Sequence, residues 1–164
     1  MIGRKQILFI IFTLIWCAVI FMFSSQNSGA SSETSGSLIE GVYGFIVPEF
    51  DGFSGSQREA VVEGLQFAVR KSAHFTAYFI LGILAYNSVK PRRRLVRFII
   101  PTAFAFIYAC SDELHQYFVP GRSCELRDIL IDTLGAAAGT ASALAVSAVI
   151  AKKRVKSEKD LNSE

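Results

Sequence analysis

Apolar residues in this chain come in long, sparsely charged runs, and the period that recurs between them is helical. Ile7 to Phe23 carries no charge and reaches the minimum of about 17 residues that spans a bilayer. Phe75 to Val89 continues a helix that begins earlier, with Lys71 and His74 in its outer turns. Leu95 to Tyr108 is apolar apart from Arg97 and runs straight into Ser111-Asp112-Glu113-Leu114-His115-Gln116. Ile129 to Ala151 is long enough to span and carries Asp132 as its one charge. The pattern predicts an all-α, polytopic membrane protein: a four-helix transmembrane bundle with spans at about 7–23, 70–89, 95–115 and 129–151.

The stretch between the first two spans, 24–66, is the one sizeable non-spanning piece. Ser24 to Gly36 is rich in Ser, Asn and Gly and reads as loop. Ser37 to Glu40 has the form of a capping box, and Leu38, Ile39, Val42, Tyr43, Ile46 and Val47 follow at helical spacing until Pro48. A second such box at Ser56–Glu59 opens a stripe of Val61, Val62, Leu65, Ala68 and Val69. The expectation is a pair of short amphipathic helices in the headgroup layer, the second continuing unbroken into span two. Residues 1–151 thus form the membrane domain, and 152–164 form a charged, disordered tail.

Composition adds little, because 51% apolar residues is close to the soluble average of roughly 45–50%. The distribution of charge adds more. The net charge is +3, but the basic residues are too segregated for a nucleic-acid footprint. Twelve of the seventeen Lys and Arg residues flank the spans on one side, which the positive-inside rule makes cytoplasmic together with both termini. Arg58, Arg70, Lys71, Arg122 and Arg127 are left on the opposite side. A cleaved signal peptide is the alternative for the first run, but its apolar core is long for one and Ser28-Gly29-Ala30 is only a fair cleavage match. Cys17, Cys110 and Cys124 read as small buried hydrophobes and one exposed thiol, with a Cys110–Cys124 bridge geometrically conceivable.

Ionisable residues gather at the outward edge of the spans, where charge beside hydrocarbon marks a candidate site. On the second helix Arg70, His74 and Tyr78 are spaced by four, with Lys71 three before His74, so one face presents two cations, an imidazole and a phenol. The third helix ends in Asp112, Glu113, His115 and Gln116, of which Asp112, His115 and Gln116 share a face. A carboxylate and an imidazole one turn apart can ligate a divalent metal or transfer a proton. Carboxylates at a helix C-terminus also call for a compensating cation, and Lys71, Arg122 and Arg127 are available. On the fourth helix Asp128 sits near the N-terminus and Asp132 one turn deeper. Gly135 and Gly139 form a small-xxx-small face on the same side as Asp132, which directs that carboxylate into the bundle. The plainer readings are interfacial anchors, a solvated helix end and structural ion pairs.

Four phrases, FSSQ at 23–26, RKSAHFTAYFILG at 70–82, SDELHQYFVPGR at 111–122 and DILIDTLGAAAG at 128–139, together resemble the VanZ-like family, in order and over about residues 7 to 150. The resemblance implies a small bacterial integral membrane protein, and its namesake is associated with resistance to the glycopeptide teicoplanin. No biochemical reaction comes with that association. The resemblance also implies that Lys71, His74, Asp112, Glu113, Gln116, Arg122, Asp128, Asp132 and Gly135 are signature positions.

Two functions follow as expectations. In the first, a polar pocket at the outer leaflet holds a charged amphiphile of the cell envelope, a lipid-linked wall precursor or a lipoglycopeptide. There Arg70, Lys71 and Arg122 take phosphate or carboxylate, Asp112, Asp128 and Asp132 take amine or hydroxyl groups, and the amphipathic helices act as a gate. In the second, the chain is a membrane enzyme in which His74 or His115 is the acid/base and Asp112, Glu113 and Asp132 orient it or hold metal. No motif of a known membrane hydrolase accompanies these residues, and the identity of any metal or cofactor stays open. A cluster that merely locks the helices is the third reading. Transport is the weakest, because the polar residues trace no path across.

Overall fold

The computed structural model describes residues 3–90 and 93–161. It contains α1 (Arg4–Ser24), α2 (Ser28–Ile46), a 3-10 turn (Pro48–Gly52), α3 (Gly55–Ser88), α4 (Arg94–Tyr117) and α5 (Leu126–Leu161), with no strand among the described residues. Three of these helices, α1, α4 and α5, are long and apolar enough to cross a membrane. Residues 70–88 of α3, expected as a span, fall short in apolarity: they carry Arg70, Lys71, His74, Tyr78, Tyr86 and Asn87. Packing accommodates part of that polarity: α3 touches every other α-helix, and its Tyr78 and Tyr86 are 0% exposed.

Local chemistry moves three expected boundaries. The stretch expected as loop is helical from Ser28, because the Asn27 side chain caps it by accepting from the Ala30 amide at 2.8 Å. Within α2, Thr34, Ser35 and Ser37 donate back to carbonyls one turn earlier, so their hydroxyls are satisfied inside the helix. The expected capping box at Ser37 therefore lies in mid-helix. The box that opens α3 is formed by Ser54 and Gln57, two residues before the expected one. From there α3 does run unbroken to Ser88. The segment expected as a disordered tail is instead the end of α5, helical to Leu161. Its Lys, Arg and Glu residues are good helix formers, and cations near a helix C-terminus complement the macrodipole.

Specific contacts set the helix directions. Gln6 donates to the Ser88 carbonyl and Trp16 Nε1 to the Ala77 carbonyl, so α1 runs antiparallel to the second half of α3. Tyr78 meets Asp112, and the Arg97 guanidinium lies over the Tyr86 ring at 4.6 Å, so α4 is also antiparallel to α3. Lys71 meets Asp128 and Thr140 donates to the Gly82 carbonyl, so α5 is parallel to it. The chain thus alternates in direction through α1, the second half of α3, α4 and α5.

The tightest seam is α3 against α5. Gly135 and Gly139 lie on the Phe75 and Phe79 carbonyls, and Gly82 lies on the Ala136 carbonyl. A Cβ at any of the three would fall inside backbone atoms, which flexible side chains cannot relieve. Small residues let the two backbones meet, as expected for a small-xxx-small face. Apolar side chains of α1, α4 and α5, such as Leu14, Ile107 and Leu134, remain exposed on the perimeter.

Gly139→Val is expected to lower unfolding stability in detergent by about 1–3 kcal/mol, the usual range for overpacking. Gly64→Ala, where a Cβ meets nothing within 4 Å, should leave the melting temperature unchanged or raised. Equal melting temperatures for both variants would contradict backbone contact between α3 and α5.

Candidate functional site

The C-terminal ends of α1 and α4, the N-terminal end of α5 and the middle of α3 converge at one end of the bundle. Glu113 and Asp132 are 0% exposed there and Asp112 is 3% exposed. Tyr78 OH donates to Asp112 Oδ2 at 3.3 Å, leaving Oδ1 without a hydrogen-bond partner. Both carboxylate oxygens of Asp132 are likewise unpartnered, and His74 Nδ1 stands 3.6 Å from Asp132 Oδ1. His74, Asp112 and Asp132 each bring one donor atom to within 4.8 Å of the others. Glu113 is not one of the three. Its Oε2 accepts from the Glu125 backbone N–H at 2.8 Å and so ties the α4–α5 connection to α4.

The cations are distributed differently from the sequence expectation. Neither Asp112 nor Glu113 receives a Lys or Arg among the described residues. Lys71 Nζ pairs with Asp128 at 2.5 Å, both carboxylate oxygens accepting. Arg127 pairs with Glu125 at 2.7 Å and lies over the Phe67 ring. Arg122 donates to the Gln116 side-chain carbonyl at 3.2 Å and to the Gln26 backbone carbonyl at 3.2 Å. Burial, and then the neighbouring Arg70, lower the Arg122 pKa from its usual value, though a guanidinium remains charged there. Gly121, at φ 78°, makes the turn that presents Arg122, and a Cβ there would run into Ser28.

Beside this cluster lies a cavity of about 540 Å³ between α1, α2 and α3. Its walls are largely apolar, with Val19, Phe23, Leu38, Val69 and Ile80 among them. Arg70, His74, Tyr78 and Arg122 line it as well, together with Ser24, Ser31 and Ser35. His74 and Tyr78 therefore face both ways, contacting the acids behind them and lining the cavity in front.

Of the residues singled out in the sequence, His74, Asp112 and Asp132 meet as one cluster, with Tyr78 against it. Lys71 and Asp128 form a separate pair, and Gln116 and Arg122 form another. His115 is directed to α1 instead: its ring lies tilted against Phe21 at 4.5 Å between centroids, and Nε2 lies 3.1 Å from Ser25 Oγ. Sequence reasoning did not pick out the polar end of α1 as part of the site. Ser24 Oγ accepts from Gln116 Nε2 at 2.9 Å, and Gln26 holds Arg122. The signal available was Ser24-Ser25-Gln26 directly after an uncharged run. Groove residues Trp16, Ser35 and Leu38 were also missed, since cavity lining depends on how α2 packs. All three cysteines are free, so Cys110 and Cys124 do not pair.

A bundle with three membrane-length apolar helices and a buried acid cluster at one end defines a helical membrane protein. More particularly, the chain belongs to the VanZ/LLP1 family, whose model matches residues 9–148. No curated protein and no solved structure matches it significantly.

Glu113→Ala should free the α4–α5 connection while leaving the helices in place. Losing this buried hydrogen bond, worth about 0.5–1.5 kcal/mol net, predicts severalfold faster amide exchange at Glu125 by mass spectrometry. Unchanged protection there would show that the carboxylate does not hold the loop.

Proposed function

We propose that this chain is a four-span cell-envelope protein that binds an amphiphile with an anionic head. The groove between α1, α2 and α3 takes the apolar part, and Arg70 and Arg122 take the head. The observation that carries the reading is the groove's composition: apolar walls with two guanidiniums among its polar lining. Ligand sites of this kind combine an apolar cavity with a few placed polar groups. Guanidiniums suit phosphate and carboxylate because their donors are planar and paired. Lys71, already held by Asp128, contributes through that pair rather than to the ligand. Lipid-linked wall precursors and lipoglycopeptides have the required chemistry, and sequestering or presenting one would account for a role in glycopeptide resistance.

In this reading residues 70–88 of α3 form the fourth span, shielded by its neighbours. The cluster end of the bundle faces outward and both termini are cytoplasmic, as the distribution of Lys and Arg favours. The exposed face of α2, with Leu38, Val42, Phe45 and Ile46, rests in the headgroup layer and covers the groove. A chain retaining only the exposed Cys124, with Cys17 and Cys110 changed to Ser, should be labelled by a membrane-impermeant maleimide added to intact cells. Labelling only after the cells are opened would reverse the orientation.

Trp16, the only tryptophan of the chain, lines the groove and reports its occupancy. In detergent, brominated phosphatidylglycerol should quench its fluorescence at lower concentration than brominated phosphatidylcholine. A lipid-linked wall precursor should compete. Arg122→Ala should weaken the anionic lipid about tenfold, or ~1.4 kcal/mol, near the low end for hydrogen bonds to charged groups. Equal quenching by both lipids, unaffected by Arg122→Ala, would refute selective binding of an anionic head.

The His74–Asp112–Asp132 cluster favours a second reading, in which the bound headgroup is modified by acid–base or metal-assisted chemistry. Recovery of the bound precursor with unchanged mass supports binding alone. A changed headgroup mass supports the enzyme.

A further inference from the structure

The geometry points to a divalent transition-metal site formed by His74, Asp112 and Asp132, whose remaining coordination positions take an oxygen of the anionic head in the groove. The second half of that statement rests on the amphiphile reading above; the metal site itself does not.

Three independent features carry it. The first is spacing. Donor atoms about 2.0–2.2 Å from one zinc-like ion lie roughly 3 to 4.2 Å apart. His74 Nδ1 and Asp132 Oδ1 are 3.6 Å apart, too long for a hydrogen bond and right for two ligands of one ion. The three donors together fall within 4.8 Å of one another.

The second is what the buried oxygens lack. Asp132 is 0% exposed, and neither of its carboxylate oxygens has a hydrogen-bond partner among the described residues, the one basic group beside it being the His74 imidazole at 3.6 Å. Asp112 uses Oδ2 for Tyr78 and leaves Oδ1 unpartnered. Burying polar atoms in this way is unfavourable unless something answers them. No Lys or Arg among the described residues pairs with either acid: Lys71 is held by Asp128, Arg122 by Gln116 and Gln26, and Arg70 lines the groove instead. A divalent cation on two carboxylates and a neutral imidazole makes the cluster electrically neutral.

The third is support and access. The Tyr78 hydroxyl fixes the Asp112 carboxylate, as outer partners commonly do for metal ligands. His74 and Tyr78 also line the groove, so an ion held by His74, Asp112 and Asp132 lies directly behind groove-lining side chains. Three protein ligands leave positions open for an incoming oxygen. One imidazole with two carboxylates suits zinc or manganese better than calcium, which takes six to eight oxygens.

The test uses the full chain in detergent, purified through a histidine-free tag, loaded with Zn²⁺ or Mn²⁺ and passed into metal-free buffer. Mass spectrometry of the elements should find about one ion per chain, and EDTA should lower the melting temperature. Asp132→Asn and His74→Gln should each retain less than a tenth of the ion, while Glu125→Gln, at a side chain 41% exposed, retains all of it. Should a variant misfold, the wild-type ion content and EDTA shift still decide. No ion above background in folded wild type, or an unchanged content in Asp132→Asn, overturns the site. Trp16 quenching by brominated phosphatidylglycerol should require at least tenfold less lipid with the metal than without. A bound ion with unaltered quenching overturns headgroup coordination and leaves the metal site standing. A bound ion with no lipid selectivity at all supports the metal site and refutes the amphiphile reading.

Discussion

Direct backbone contact between α3 and α5 is the constraint on which the remainder of the bundle rests. Where Gly82, Gly135 and Gly139 remove side chains, the two helices approach until carbonyl oxygens fill the space. In a membrane such contact is favoured by packing and polar interactions rather than by water exclusion. Because the helices are parallel, one register serves both pairs: Lys71 faces Asp128, and His74 one turn on faces Asp132. Shifting either helix by a single residue would turn Asp132 out of the seam and break both. The glycines therefore do for the site what ligand-orienting residues do in soluble enzymes: they fix where ionisable groups can be.

The polar side chains Tyr78 and Tyr86 of α3 are buried because α1, α4 and α5 pack on that half of the helix. The same enclosure isolates Asp112, Glu113 and Asp132 from water, and each then needs an internal answer. Glu113 finds one for Oε2 in the Glu125 amide, its Oε1 having no hydrogen-bond partner among the described residues, and Asp128, one turn nearer the start of α5, finds one in Lys71. Asp112 and Asp132 are left facing His74, which is also the side chain that borders the groove. Enclosure and chemistry are thus one arrangement: the seam that buries the carboxylates sets them behind His74 and Tyr78, the two side chains that line the cavity.

Much of this could be read from the chain before any coordinates, and what could not has physical causes. The apolar runs of α1, α4 and α5 declare themselves because composition alone decides whether a segment tolerates lipid. The inward direction of Asp132 follows from its spacing to Gly135 and Gly139, since helical period and small residues are both local properties. α2 misled because Ser-rich stretches disfavour helix on propensity. Here an Asn27 cap, and a Gln66 side chain donating to the Ser32 carbonyl at 2.8 Å, hold the helix from outside. His115 was grouped with Asp112 and Gln116 by spacing alone. A helix face is wide enough that Asp112 and Gln116 turn inward while His115 leans onto Phe21 of α1. The allocation of cations was illegible for a related reason: Lys71, Arg122 and Arg127 all lie near several acids, and only packing decides which pairs form.

The central claim, that the glycine seam fixes α3 and α5 in the register that assembles the site, is tested most directly by a double-mutant cycle across it. Unfolding free energies of the wild type, Lys71→Met, Asp128→Asn and the double variant give the coupling between the two side chains. The half-buried pair predicts about 1 kcal/mol or more of favourable coupling, within the range for contacting residues. Coupling indistinguishable from zero would place the two residues apart, and with them His74 from Asp132.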